Sequence, residues 1–240
     1  MKKYYLLASL PPLSFVYSEQ PAVSIQKFWH GVLSENASIS ELVQSILLQQ
    51  DIANMEKIAN GYNPTFCGTI PLDKIQKAKN DTTVLRDDLP QNIWQNLSFE
   101  KWQSRIWLTL LNYQKELASK YNSCAKEWLE WEVGLRKHIA NTRSESLGQS
   151  LSGNLLVKAL ENDSFYDYQK ITADYNKQSS PLESEKLLDQ ERWKFADSLA
   201  VPYSFSDDEI VVYAIKLLIL ERWWAISQSQ IDIFEKVANG

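Results

Sequence analysis

From Phe99 to Ile139 the chain places an apolar side chain at every third or fourth position. Phe99, Trp102, Ile106, Leu110, Tyr113, Leu117 and Tyr121 keep that spacing, and Cys124, Trp128, Trp131, Leu135 and Ile139 continue it. A period near 3.6 belongs to an α-helix; a half-buried strand would alternate by two. So long a stripe has to be buried against other elements. The pattern predicts two long helices from Ser98 onward, joined near Asn122-Ser123 and packed antiparallel, with one gently bent helix as the alternative. Only 7 glycines and 8 prolines occur in 240 residues. That leaves little material for tight hairpins or glycine-rich phosphate loops.

The remaining segments read in the same way. Residues 1–20 read as an extended opening that ends in a loop, with a short buried strand or helix at its start. Lys2 to Leu10 superficially resembles a secretory leader, but its apolar run stops at Pro11-Pro12 and its two tyrosines do not suit a leader core. Residues 21–35 predict a short helix carrying Val23, Phe28, Trp29 and Val32. Ser38 and Glu41 have the spacing of a capping box for a helix that runs through Ile58 to a stop at Gly61. Residues 71–79 predict another helix and 80–92 a loop. Residues 145–153 read as a turn, Leu155 to Asn162 as a short helix, and Phe165 to Ser180 as helix then loop. Pro181 opens a helix to about Leu199, ended by Pro202. Ser206 and Glu209 read as the capping box of a last helix, with Asp207-Asp208 on its first turn. Its residues Ile210 to Leu220 are apolar almost all round, so it belongs near the centre of the C-terminal half. Together these give a mainly α fold in a single domain over 1–240, divisible into 1–97 and 98–240.

The sequence carries no recognisable motif for chemistry. His30 and His138 have no second ligand at a metal-binding offset. Cys67 and Cys124 read as two buried, reduced thiols. Glu130 and Glu132 flank Trp131; two apart on a helix, they do not face each other and suit acid–base work poorly. Glu132 and Arg136, four apart with the acid first, read instead as a helical ion pair. The tripeptide Glu-Arg-Trp occurs at 191–193 and again at 221–223. Two facing helices could cross-pair these Glu and Arg residues beside stacked indoles. The net charge of −5 builds no field for nucleic acid. No apolar run reaches the length of a membrane span; the longest, Ile210 to Leu220, contains Lys216. No catalytic, cofactor-binding or metal-binding residue is assigned.

Four segments resemble a known family. They are Tyr4-Tyr5-Leu6-Leu7-Ala8-Ser9-Leu10-Pro11, Leu47 to Met55 with Asp51 and Asn54, Trp131-Glu132-Val133-Gly134-Leu135-Arg136 with Thr142-Arg143 and Leu147-Gly148, and Tyr213 to Trp223. They resemble bacterial proteins encoded within V-type ATPase operons, which look like divergent relatives of the V/A-type ATPase subunit called C in archaea and d in eukaryotes. Lys137 departs from that pattern, where relatives often carry Asn after the Arg. The resemblance implies a funnel-like helical bundle in the central stalk of a rotary ATPase. Such a subunit is non-catalytic and free of cofactors and nucleotide. It joins stalk subunits to the membrane rotor ring that moves protons or sodium ions, and it is cytoplasmic, held at the inner membrane through the complex. A helical scaffold or adaptor of another complex, and an enzyme with an unrecognised site, are the alternative readings.

Overall fold

The longest early helix, α3, is what the rest of the chain is built around. A computed structural model describes residues 2–102, 105–146 and 166–238. The expected turn from 147 and helix at 155–162 lie outside the described residues. Ten α-helices and one 3₁₀ turn make up the described part, with no strand among them. They are α1 (Lys2–Ser9), α2 (Ile25–Val32), α3 (Ala37–Ala59), α4 (Leu72–Ala78), the 3₁₀ turn (Thr82–Leu85), α5 (Gln91–Trp94), α6 (Arg105–Tyr121), α7 (Ser123–Ser146), α8 (Gln169–Asn176), α9 (Pro181–Leu199) and α10 (Asp207–Ala238).

Helix α3 packs along both α6 and α10, and so belongs to two buried clusters. Its first half, with Leu42, Val43, Ile46 and Leu47, joins α2, α7, α9 and α10 in the larger core. Its second half, with Leu48, Ile52, Met55 and Ile58, joins α4, the 3₁₀ turn, α5 and the first half of α6. The last helix, α10, lies where its all-round apolar sequence requires. Ile210, Val211, Ala214 and Leu217 have no measurable exposure, and α1, α2, α3, α7 and α9 surround it.

The joint at Asn122-Ser123 is real. The Asn122 carboxamide oxygen accepts from the Ala125 N–H at 2.7 Å and so caps α7, while its Nδ2 donates to Asp208 at the start of α10. From that joint α6 and α7 fold back, so that Trp107 to Gln114 and Leu129 to Arg136 line one common hollow. The predicted stop at Gly61 is also present. Its φ is +81°, and the Tyr62 and Gly61 N–H groups bond to the Lys57 and Ile58 carbonyls in a Schellman closure. Pro181–Leu199 is a helix capped by the Ser180 hydroxyl, which accepts from Glu183 N.

Several expectations are corrected. Of the two readings of the chain's start, the short helix holds, and the strand and the extended opening do not: Leu6, Leu7 and Leu10 pack against the larger core and leave Tyr4 and Tyr5 outside. No neighbouring described strand is there to pair with, and a helix satisfies its own backbone. Helix α3 is capped by Asn36 in place of Ser38, its carboxamide accepting from Ile39 N at 2.9 Å. Glu41 is thereby released to accept from the Tyr113 hydroxyl. Ser98 does not open α6. Phe99 and Trp102 sit in a turn before it, although both pack on the smaller core as the stripe requires. Glu145 and Ser146, read as the start of a turn, end helix α7. At the start of α10, Glu209 reaches past the expected capping-box partner to accept from the N–H groups of Phe205 and Tyr203 and from the Ser204 hydroxyl.

Candidate functional site

Helices α7, α9 and α10 meet along a seam of alternating charge. Glu132 on α7 is 6% exposed and accepts from two arginines, Arg136 Nε at 2.6 Å and Arg192 Nε at 2.9 Å. Arg192 on α9 turns its Nη1 to Asp189, 2.8 Å away. Asp189, 1% exposed, also accepts from the Trp223 indole N–H at 2.8 Å and lies 3.4 Å from Arg222 Nη2 on α10. Arg222 pairs with Glu185 at 2.8 Å, and Glu185 pairs with Arg143 of α7 at 3.1 Å. The chain of charges therefore leaves α7 at Glu132, crosses α9 and α10, and returns to α7 at Arg143.

Burial alone would raise the Glu132 carboxyl, but the guanidiniums of Arg192 and Arg136 outweigh it and hold the group at about 2. Burial likewise works against the Arg192 cation, and Glu132 and Asp189 reverse the effect, so its pKa is raised. These groups stay ionised together because each buried charge has a hydrogen-bonded opposite.

The seam and the packing around it account for Trp131, Glu132, Gly134, Leu135 and Arg136. Trp131 stacks on Phe195 of α9, ring centroids 4.4 Å apart at 9°. Glu132 and Arg136 carry the seam. Leu135 is fully buried. Gly134 faces the Tyr168 hydroxyl, which donates to the Trp131 carbonyl at 2.9 Å; a Cβ at 134 would fall 2.3 Å from that oxygen. Asp51 and Asn54 have a different task. They pin the 65–70 loop to α3, Asp51 accepting from Thr69 N, Thr69 Oγ1 and Ile70 N, and Asn54 accepting from Thr65 N while donating to the Phe66 carbonyl. Burial pushes the Asp51 carboxyl up to about 7 against those three donors.

The repeated Glu-Arg-Trp is half right. Arg192 and Arg222 do converge, on Asp189. Their glutamates take no part: Glu191 pairs with Lys194, and Glu221 is buried outside the seam with its carboxyl pushed up by that burial. The indoles do not stack on each other either. Trp223 bonds Asp189, while Trp193 packs on Phe15 with Lys216 above its ring. Asp189 and Glu185 were not singled out in the sequence. Their one signal was position, since Glu185, Asp189 and Arg192 share a face of α9 at helical spacing.

A cleft opens beside the seam as two adjoining hollows of about 220 and 290 Å³ that share Gln49, Trp107, Glu132 and Arg136. No group of three or more metal-ligating side chains occurs among the described residues. Both cysteines are free thiols. Cys67 is half-buried, not buried as expected, and burial pushes the Cys124 thiol up to about 12, so it is no thiolate nucleophile at neutral pH. His138 lies against the Tyr168 ring at 4.8 Å.

A second surface lies at the opposite end of α10's apolar run. Tyr4 packs on Phe205 at 4.6 Å, and around them Tyr5, Val201 and Tyr203 are 66%, 72% and 85% exposed. Tyr203 and Phe205 have positive φ, +63° and +53°, held by the Glu209 carboxylate. No helix among the described residues is long and apolar enough to cross a membrane.

Compared with known proteins, the chain matches no curated protein and no solved structure. One family model matches residues 1–239, almost the whole chain, and its description is "Protein of unknown function (DUF2764)". The helical frame, its ionic seam and its exposed aromatic end therefore belong to a member of the DUF2764 family.

Proposed function

We propose that this chain is a non-catalytic connecting subunit in the central stalk of a V/A-type rotary ATPase, joining stalk subunits to the membrane rotor ring. One observation carries the reading. The segments that resemble proteins of V-type ATPase operons are spent on stiffness: Trp131 to Arg136 and Tyr213 to Trp223 meet through Glu132, Arg192 and Asp189 to lock three helices together. A part that transmits torque needs such a frame more than it needs a reactive hollow. Long helices with cross-linked axes resist bending because their backbone bonds are internal. The exposed tyrosines at 4, 5 and 203 supply rigid, amphipathic anchors of the kind that dominate subunit contacts. In this reading that end is the contact with the stalk, and the complex holds the chain at the inner face of the membrane.

Affinity purification of the tagged chain from mild-detergent extracts tests this. The expected result is recovery of ATPase stalk and rotor subunits, lost in the Tyr4→Ala, Tyr203→Ala double variant. Recovery of a stable complex lacking every ATPase component would overturn it.

A further inference from the structure

We infer that the cleft beside the ionic seam is a binding site for a small amphiphilic anion, a carboxylate or phosphate monoester on an apolar body. Donors and acceptors on the cleft are unequally engaged. The carboxylate oxygens on the cleft are already engaged: Glu132 accepts from Arg136 and Arg192, and Asp189 from Arg192 and Trp223. The donors are not. Arg136 spends only its Nε, leaving both terminal nitrogens without a partner among the described residues, and half of its side chain is exposed. Arg222 spends only Nη2. No hydrogen bond of the Gln49 carboxamide or the Trp128 indole N–H occurs among the described residues. All four side chains line the cleft, and Gln49 and Arg136 line both hollows.

With Glu185 counted, Arg136, Arg143, Arg192 and Arg222 stand against Glu132, Glu185 and Asp189, so the seam beside the cleft keeps an excess of one positive charge, in a chain whose net charge is −5. Unspent N–H donors with a surplus cation select an acceptor-rich anion. The other walls set the rest of the ligand. Trp107 and Leu111 lie beside Arg136 in one hollow, and Ile215 and Leu218 in the other. Either hollow takes a short alkyl chain or one ring while the anionic group sits between Gln49 and Arg136. A few placed polar groups on an apolar hollow are the usual make-up of a small-molecule site. Nothing in this inference depends on the stalk reading.

Isothermal titration calorimetry on the purified full chain tests it, with sodium octanoate, octyl phosphate, inorganic phosphate and octanol as probes. Octanoate or octyl phosphate should bind with one-to-one stoichiometry, at least tenfold tighter than inorganic phosphate and than octanol. Arg136→Gln should weaken that binding at least tenfold, while Arg86→Gln, at a distant arginine lying over Trp94, should leave it unchanged. Gln49→Glu, which places a negative charge on the facing wall without touching the seam, should abolish it and guards against a folding defect in the first variant. Binding of octanol as tight as that of octanoate, binding of inorganic phosphate as tight as that of octyl phosphate, undiminished binding by Gln49→Glu, or no binding of any probe would each overturn the inference.

Discussion

Gly134 and Tyr168 occupy one space that a single methyl group would fill. A Cβ at 134 would also stand 2.7 Å from the Tyr168 ring carbon that bears the hydroxyl, and Tyr168 is 1% exposed with no room to retreat. Gly134→Ala should therefore cost about 2–3 kcal/mol, as overpacking does, even though alanine is the better helix former. Urea unfolding of the variant measures it; unchanged stability would mean that the Tyr168 contact is absent. Asp51 gives a pH signature. Its folded pKa of about 7 lies above the ordinary carboxylate value of 3.8, so the folded chain binds the extra proton between them. The contribution is then fully present below about pH 4 and is lost as pH rises through 7. Urea midpoints should fall from pH 5 to pH 8, and Asp51→Asn should flatten that slope. A slope of the same size in the variant would assign it to another group, such as Glu221. Neither role is legible in the sequence, because Gly134 and Asp51 act through Tyr168 and Thr69, partners set by tertiary packing.

Between elements, the ionic seam and the α10 start carry distinct predictions. Glu132→Gln removes the anion shared by Arg192 and Arg136 and leaves a buried guanidinium with Asp189 alone. Stripping one partner from a buried pair costs roughly 3–5 kcal/mol, and thermal unfolding should register that loss. The wild-type seam should also weaken in acid. Because Glu132 is held at about 2, its contribution is present above its unfolded value of 4.5 and is lost as pH falls toward 2. Glu209→Ala should free the 203–206 loop, since a single carboxylate holds two residues at positive φ. Faster amide exchange at Tyr203 and Phe205, with little change in α9, is the expected outcome. Helices were the most legible feature of the sequence. The α6–α7 joint, the stop at Gly61 and the opening of α9 at Pro181 all follow from local periodicity and end-of-helix chemistry. Caps at Asn36 and Glu209 were misread because several polar residues compete at each start, and tertiary partners such as Tyr113 decide among them. The Glu132–Arg136 pair was visible as a spacing of four. The closure of that pair through Arg192, Asp189 and Arg222 was not, because no local pattern says which helices will be neighbours.

Over the whole molecule, one long helix, α3, serves two buried clusters, while charge crosses between α7, α9 and α10. Exposed Tyr4, Tyr5 and Tyr203 gather around the start of α10. The stalk reading requires stiffness to couple two machines, so coupling, more than association, is the quantity to measure. The direct test is ATP-driven ion uptake into inverted membrane vesicles from cells lacking this chain, with ATP hydrolysis followed in parallel. Uptake should fall to background while hydrolysis by the ATPase head persists, and adding back the purified chain should restore uptake. Full uptake in vesicles without the chain would contradict the account.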